Sequence, residues 1–587
     1  MADEPTDPNQ GSEDPSSKRE PTETGPANDG VSRRRFIAGA AAAGAAGVLG
    51  VPSVASAATS STFLQVSSPG DGSDLVFVNG KIHTMDTKGT IAKAVTIRDG
   101  RFVNVGDGAQ ARGPNTTVVN LRGRTVVPGI IDNHNHIVLM GNRPGFHTPL
   151  ENARSIADVQ EALAARADRI PGGEWITTIG GFNANQFTES RLPTQAELDD
   201  AVPNHPLFVS QSFNGPSATN SAGAAILTSN GVTVGADGEI AVGGAGATGE
   251  ALLFLRNTLL TPGTRRRGAI DAMAYGASLG VTTHLDQGAF QATGQPSDGA
   301  AHEDNFTMHL PFLELYRAGE LGTRLRINFL NLEEDLDTPQ LVERLKNAFP
   351  FFGGDLVKTG GIGEFTAGDF IALFLGNPGP AWMNGTLRVA EAGWRNENHS
   401  LTANDFPPII EGWEEVNSQF PITDLRWVLA HVPFITEEYV NRLKALGGGV
   451  SLTGWRYLAG TAGQNGPPFR MIVDNGIPAG MSSDGMQIAP MNPWLHMYYA
   501  TTGVNAAGDL INDGQQITRE EVLRLYTANN DWFLGEDDEI GTISVGQHAD
   551  LVVLSDDYFA VTDDALKDIK SVLTVVGGNV VHDAGVL

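Results

Sequence analysis

One stretch of this 587-residue chain limits its fold more than any other. Residues 124–140 read Arg-Thr-Val-Val-Pro-Gly-Ile-Ile-Asp-Asn-His-Asn-His-Ile-Val-Leu-Met. The run Val126 to Ile131 is apolar and β-branched, the pattern of a strand covered on both faces. It ends in Asp132-x-His134-x-His136. In an extended chain alternate side chains share one face, so these three point the same way. Two imidazoles at that spacing can hold one metal ion in adjacent positions, with the carboxylate near enough to orient them. Pro128-Gly129 breaks the ladder just upstream and lets the strand begin sharply. On these residues alone a metal site and a strand end with two surface histidines both stay open.

Downstream, strand-like runs alternate with helical patterns, the signature of βα units. The candidate strands are 126–131, 281–286, 324–330, 355–359, 397–401, 426–431, 448–452 and 478–483. Several end in His, Lys or Asp, and catalytic groups at the C-terminal ends of parallel strands are what a (β/α)8 TIM barrel provides. The barrel is expected over 128–535. Residues 141 to about 265 are too long for one crossover and predict an insertion subdomain after strand 1. Short strands with Asn79-Gly80 and Asp99-Gly100 turns fill 74–127, and similar runs fill 536–587. Neither end holds enough core alone, so the two are expected to form one composite β-sandwich.

A net charge of −29 lacks the basic surface that nucleic acid requires. The absence of cysteine removes disulfides, thiol nucleophiles, cysteine ligands and a lipidated anchor together. Residues 1–30 are acidic and polar with almost no apolar content, the composition of a disordered segment. Ser32-Arg33-Arg34-Arg35-Phe36-Ile37 follows, then an Ala/Gly-rich run and Ala55-Ser56-Ala57. Residues 1–57 resemble a leader with a twin-arginine signal peptide, which implies the twin-arginine export machinery as partner. The mature protein is then periplasmic or extracellular, without a permanent membrane anchor.

Four further residues stand at strand ends: Lys358, before a glycine-rich stretch, and His399, His431 and Asp484. Each alone has an ordinary explanation, such as a core histidine or a capping aspartate. Their order does not. With Gly123 to Gly129 leading into His134-x-His136, Arg191-Leu192-Pro193-Thr194, Gly280-Val281-Thr282-Thr283 and Gly541 through Leu551, the chain over about 74–587 resembles the amidohydrolase superfamily, in its amidohydrolase family 3 branch. That resemblance implies a divalent metal centre of one or two ions, zinc by expectation. Its ligands would be His134, His136, Lys358 (carboxylated by CO₂), His399, His431 and Asp484. Asp132 and Asp286 would stand behind the ligands.

The implied reaction is hydrolysis of a C–N bond in an N-acyl, N-formyl or cyclic amide by metal-activated water, with Asp484 and His431 catalytic and Asp484 the base and acid. A small-molecule substrate follows, with Trp455, Arg456 and Trp494 in the loops where selection belongs. The alternatives are a heterocycle deaminase of the same superfamily and a degenerate secreted binding protein; a homo-oligomer stays open. The chain departs from the family pattern twice, once in the insertion, where Gly215-Pro216 rather than Gly-His precedes Asn220-Ser221, and once after the lysine. The lysine is often followed four residues later by Asp-Gly, whereas here Ile362-Gly363 is followed by Glu364. A serine-hydrolase pattern, Gly276-x-Ser278-x-Gly280, has helix before and strand after, the reverse of a nucleophile elbow.

Overall fold

The computed structural model describes residues 75–108, 116–212, 215–242, 246–288, 305–370, 378–486 and 488–587. The leader read over 1–57 lies outside them. Two four-stranded parallel sheets form the centre. The first contains β1 (Ile130–Asn135), β2 (Val281–Asp286), β3 (Arg324–Phe329) and β4 (Val357–Ile362) in that spatial order. The second contains β5 (Glu397–His399), β6 (Val428–Ala430), β7 (Gly449–Thr453) and β8 (Ala479–Ser482). Backbone bonds link the edges: Ile362 N donates to Arg395 O at 3.0 Å, and Asp484 N donates to His134 O at 2.9 Å. All eight strands run parallel within their sheets, so the residues that follow them collect at one end.

Helices follow most of these strands and bury the outer faces. Trp382, Trp394, Trp413 and Trp427 pack into one large apolar cluster between helices and the second sheet. A fully buried large side chain of this kind contributes about 1.5–3 kcal/mol each. The helix Pro262–Leu279 ends on Gly280 at φ +90°, a left-handed cap that only glycine adopts freely, and β2 begins at once. Ser278 donates to Tyr275 O at 2.7 Å in its last turn, so the Gly276-x-Ser278-x-Gly280 pattern is a helix end.

Three other sheets flank the centre, one of them four-stranded from Arg101–Gly106, Ala94–Arg98, Leu75–Val78 and Thr117–Asn120. A six-stranded sheet mixes both chain ends: Asn579–Asp583, Ser571–Val576 and Leu551–Leu554 lie beside Thr125–Pro128, Lys81–His83 and Ile91–Ala92. Residues 146–240 supply a separate five-stranded sheet from Phe146–His147 to Glu239–Ile240. Within it the Arg191-Leu192-Pro193-Thr194 motif starts the helix Gln195–Ala201. Thr194 and Glu197 form a reciprocal capping box, and Arg191 holds Glu197 through two contacts of 2.7 Å.

One strand departs from expectation in a way that matters. The sequence places strand 4 at 355–359, ending on Lys358 with a glycine-rich loop after it. The structure places β4 at Val357–Ile362, so the glycines are strand, and Lys358 is its second residue. The reason is space. A Cβ on Gly360 would lie 2.4 Å from Asn328 Oδ1, and one on Gly361 would lie 2.7 Å from Arg395 O. These glycines let β4 pass close to its neighbours.

Candidate metal centre

Six side chains converge beyond the C-terminal ends of β1, β4, β5, β6 and β8. His134 and His136 come from β1 and the residue after it, because the period of two puts both on the inner face. Glu364 follows β4 by two residues, His399 ends β5, His431 follows β6, and Asp484 follows β8. Glu364 is central. Its Oε2 lies 3.2 Å from His134 Nε2, 3.3 Å from His399 Nδ1 and 3.7 Å from His431 Nε2. Its Oε1 lies 3.4 Å from His136 Nε2. Asp484 Oδ1 stands 3.3 Å from His136 Nε2 and 3.8 Å from His134 Nε2.

These separations are those of metal ligands. Two donors each about 2.0–2.1 Å from one tetrahedral ion stand roughly 3.3–3.4 Å apart. One donor atom each from His134, Glu364, His431 and Asp484 all lie within 4.8 Å of one another. The imidazole tautomers agree. His134 Nδ1 is 2.6 Å from Glu397 Oε1, and His136 Nδ1 is 2.8 Å from the Gly288 carbonyl. Those acceptors require the proton on Nδ1, which leaves each Nε2 lone pair aimed into the cluster. His134 Nε2 is buried without a hydrogen-bond partner, the state of a donor atom made for an ion.

A second layer orients the first. Glu397 accepts from Arg395 at 2.8 Å and from Asn328 Nδ2 at 3.1 Å, so a buried guanidinium balances the carboxylate behind His134. His431 Nδ1 stands 3.0 Å from Thr453 Oγ1 at the end of β7. Asp132 accepts from Ser483 N at 3.0 Å and fixes the approach to Asp484. Asp286 accepts from Gly288 N and His309 Nε2, both at 2.8 Å, and so orders the turn whose carbonyl receives His136. His431 and Asp484 have φ of +69° and +55°, a region disfavoured for residues with a side chain, and such local cost collects at functional sites.

The electrostatics tell the same story. Burial alone would lower the His134 pKa, yet the carboxylates of Glu364 and Glu397 beside it hold it at about 10. Burial would raise Glu364, but the four imidazoles around it keep it well below the ordinary carboxylate value. Asp484 is likewise held down, against burial, by His431 and His136. Burial lowers His431. The cluster is a buried anionic nest that protons enter where cations belong.

Of the residues singled out in the sequence, His134, His136, His399, His431 and Asp484 meet here. Lys358 does not. Its ammonium pairs with Glu536 at 2.9 Å near the start of β4, and six residues, roughly 20 Å of extended chain, separate it from Glu364. Trp494 is also displaced from its expected role: it is fully buried, donates to Leu279 O at 3.0 Å and packs on Tyr558. Trp455 and Arg456 stack on each other just after β7, the guanidinium 4.0 Å from the ring centre. Sequence reasoning missed Glu364 and Glu397. Glu397 sits two residues before His399 on the same strand and was readable as a same-face acid, whereas the signal for Glu364 was only that it is the carboxylate next to the missing Asp-Gly.

This fold and this cluster define a metal-dependent hydrolase of the α/β class. Residues 117–582 match the model of the amidohydrolase family, and the chain belongs to that family, in its family 3 branch. It is similar to the N-substituted formamide deformylase of Arthrobacter pascens, with 25% identity over 86% of this chain and 97% of that protein. It is also similar to the putative amidohydrolase YtcJ of Bacillus subtilis, with 22% identity over 86% and 99%. Among solved structures, an uncharacterized metal-dependent hydrolase from Pyrococcus horikoshii superposes with a TM-score of 0.57 at 18% identity, covering 84% of this chain and 99% of that one. Atrazine chlorohydrolase from Arthrobacter aurescens, complexed with zinc, gives 0.53 at 16% identity over 87% and 95%. The protein is an enzyme, an amidohydrolase acting on carbon–nitrogen bonds other than peptide bonds.

Proposed function

We propose that the cluster of His134, His136, Glu364, His399, His431 and Asp484 is a zinc-type catalytic centre that hydrolyses an N-formyl or related N-acyl amide. The observation that carries this reading is His134 Nε2, buried, unpartnered and 3.2 Å from Glu364 in a set of donors at ligand spacing. A divalent ion held there would supply Lewis acidity toward the amide carbonyl and a water of lowered pKa. His134 and His136 present fixed Nε2 lone pairs, because Glu397 and Gly288 hold their Nδ1 protons. Asp484 turns Oδ1 to the imidazoles and leaves its other oxygen for the proton of the attacking water. It then delivers that proton to the departing nitrogen, so the C–N bond breaks with a neutral amine leaving. His431, with its Nδ1 held 3.0 Å from Thr453 Oγ1, turns its Nε2 toward Glu364 and would act from that side of the set.

The architecture supports this placement. The two parallel sheets, bonded edge to edge at Ile362–Arg395 and Asp484–His134, are read as one closed (β/α)8 barrel with its site at the C-terminal mouth. Similarity to a formamide deformylase over nearly all of that protein favours a formyl or small acyl group. Export by the twin-arginine route stays a reading of Arg33-Arg34-Arg35 and the residues around them.

The test is release of formate or carboxylate from a panel of N-substituted formamides and acetamides. Hydrolysis that disappears on chelation and returns with zinc supports the assignment. Turnover that survives complete removal of metal would overturn it.

A further inference from the structure

We propose that Arg456 binds a carboxylate carried by the substrate, so that the enzyme selects N-acyl amides with an acidic group a few bonds from the amide. This rests on the metal-dependent reading above and adds to it the chemical class of the substrate.

Arg456 stands beside the metal cluster. β7 ends at Thr453, whose Oγ1 lies 3.0 Å from His431 Nδ1, and Trp455 and Arg456 follow within three residues. Phe434 comes three residues after His431, at most roughly 11 Å of chain. The guanidinium carbon of Arg456 lies 4.0 Å from the centre of the Trp455 ring and 5.4 Å from that of Phe434. Two segments, one continuing from His431 and one from its support Thr453, thus meet on a single cation.

That cation has no counter-charge. Arg456 is 6% exposed, and its Nε is buried with no hydrogen-bond partner. Burial lowers its pKa, and what opposes the shift is the phenol of Tyr499, with no carboxylate among the described residues. The indole Nε1 of Trp455 is likewise buried without an acceptor. Three other buried arginines show the usual solution. Arg324 meets Asp550 at 2.7 Å, Arg326 meets Glu536 at 2.6 Å and Arg395 meets Glu397 at 2.8 Å. Acids are not scarce in this chain, with 68 against 39 basic side chains. A buried cation without its counter-charge is costly, and such groups gather where a ligand completes them.

Aromatic rings hold a guanidinium by cation–π attraction but take none of its N–H bonds, which lie in its plane. Those N–H groups form the fork that a carboxylate fills with two parallel bonds. No second cation acts on Arg456, so the site matches a monoanion and not a phosphate dianion. An amide whose carbonyl faces His431 and whose carboxylate lies a few bonds away would span both anchors.

Matched pairs of substrates test this. N-formyl amino acids and their N-formyl carboxamides differ only in the acidic group, and kcat/KM is measured for both with the zinc-loaded full chain. The acid should be preferred by roughly 10- to 100-fold, the scale of a charge-assisted hydrogen bond. In Arg456→Met, which keeps an apolar stem, the preference should vanish, mainly through a raised KM, and Arg456→Lys should recover part of it. The ratio is read within each variant, with circular dichroism and zinc content alongside, so a general loss of fold or metal cancels. No preference for the acid in the wild type, or a preference that survives Arg456→Met, would overturn the inference and leave the amide reading standing. If neither member of any pair is hydrolysed, the functional reading falls, and calorimetric titration with the N-formyl amino acid decides the inference. Binding to the wild type that weakens by roughly tenfold or more in Arg456→Met supports it, and equal binding or none overturns it.

Discussion

Two clusters of buried charge lie toward opposite ends of the same central strands, and they are built in opposite ways. Near the starts of β3 and β4, Arg324 meets Asp550 at 2.7 and 2.9 Å, and Arg326 meets Glu536 at 2.6 and 3.1 Å, with Lys358 beside it. Every charge there faces its opposite, in the two-pronged geometry arginine favours. Asp550 also accepts from Gly577 N at 2.7 Å, so this cluster ties the terminal sheet to the central one. At the strands' other ends four imidazoles surround Glu364 and Asp484, and the guanidinium of Arg395 behind them is already committed to Glu397. The first cluster is electrically finished and holds the fold together. The second is finished only by cations from outside. A buried charged group is therefore informative about function by what it lacks, not by being buried.

The contrast can be broken from either side. His134→Ala or Asp484→Asn should each lower kcat/KM by roughly 10⁴-fold or more while leaving the protein folded; circular dichroism and steady-state kinetics on one preparation check this. Asp550→Asn should do the reverse, destabilising the fold by about 3–5 kcal/mol because Arg324 is left buried without its counter-charge. Urea titration would show it, with turnover per folded molecule kept.

Glu151 is a third kind of buried carboxyl, held among the described residues by neutral donors: Tyr275, Met491 N and Asn492 N. Burial lifts its pKa from 4.5 to about 7. The folded state therefore keeps a proton that the unfolded chain has lost. Its contribution is full below pH 4.5 and fades as pH rises to 7, by about 3 kcal/mol at 1.36 kcal/mol per unit. The stability difference between wild type and Glu151→Gln, followed by denaturant titration across that range, should fall by about that amount; a flat difference would refute the assignment.

Smaller effects separate support from structure. Glu397→Gln should weaken zinc binding by about 10–100-fold, since His134 loses the charge that orients it, and competition with a chromogenic chelator reads this. Lys358→Ala should cost under about 1 kcal/mol, as Arg326 still pairs with Glu536 and the lysine is partly exposed.

Much of this was legible in the chain. Alternation fixed the shared face of His134 and His136, and apolar runs ending in His or Asp located His399, His431 and Asp484 within a residue or two of a strand end. Strand 4 was misread because glycine carries no periodic signal. Gly360 and Gly361 look like a loop until the neighbouring backbones that exclude a Cβ are known. That error moved the strand's end from Ile362 back to Lys358. Trp494 failed for a related reason: an aromatic in a loop after a strand has the same sequence whether it faces substrate or Leu279. Glu397 was passed over because a strand shows which residues share a face and not which partner lies across the cluster.

The central claim is that this cluster is where cations complete the protein. Anomalous X-ray scattering at the zinc edge, from crystals of the zinc-loaded enzyme, tests it most directly. The account predicts density for zinc within the cluster of His134, His136, Glu364, His399, His431 and Asp484. No peak among these residues, or a peak at Lys358 and Glu536, would contradict it.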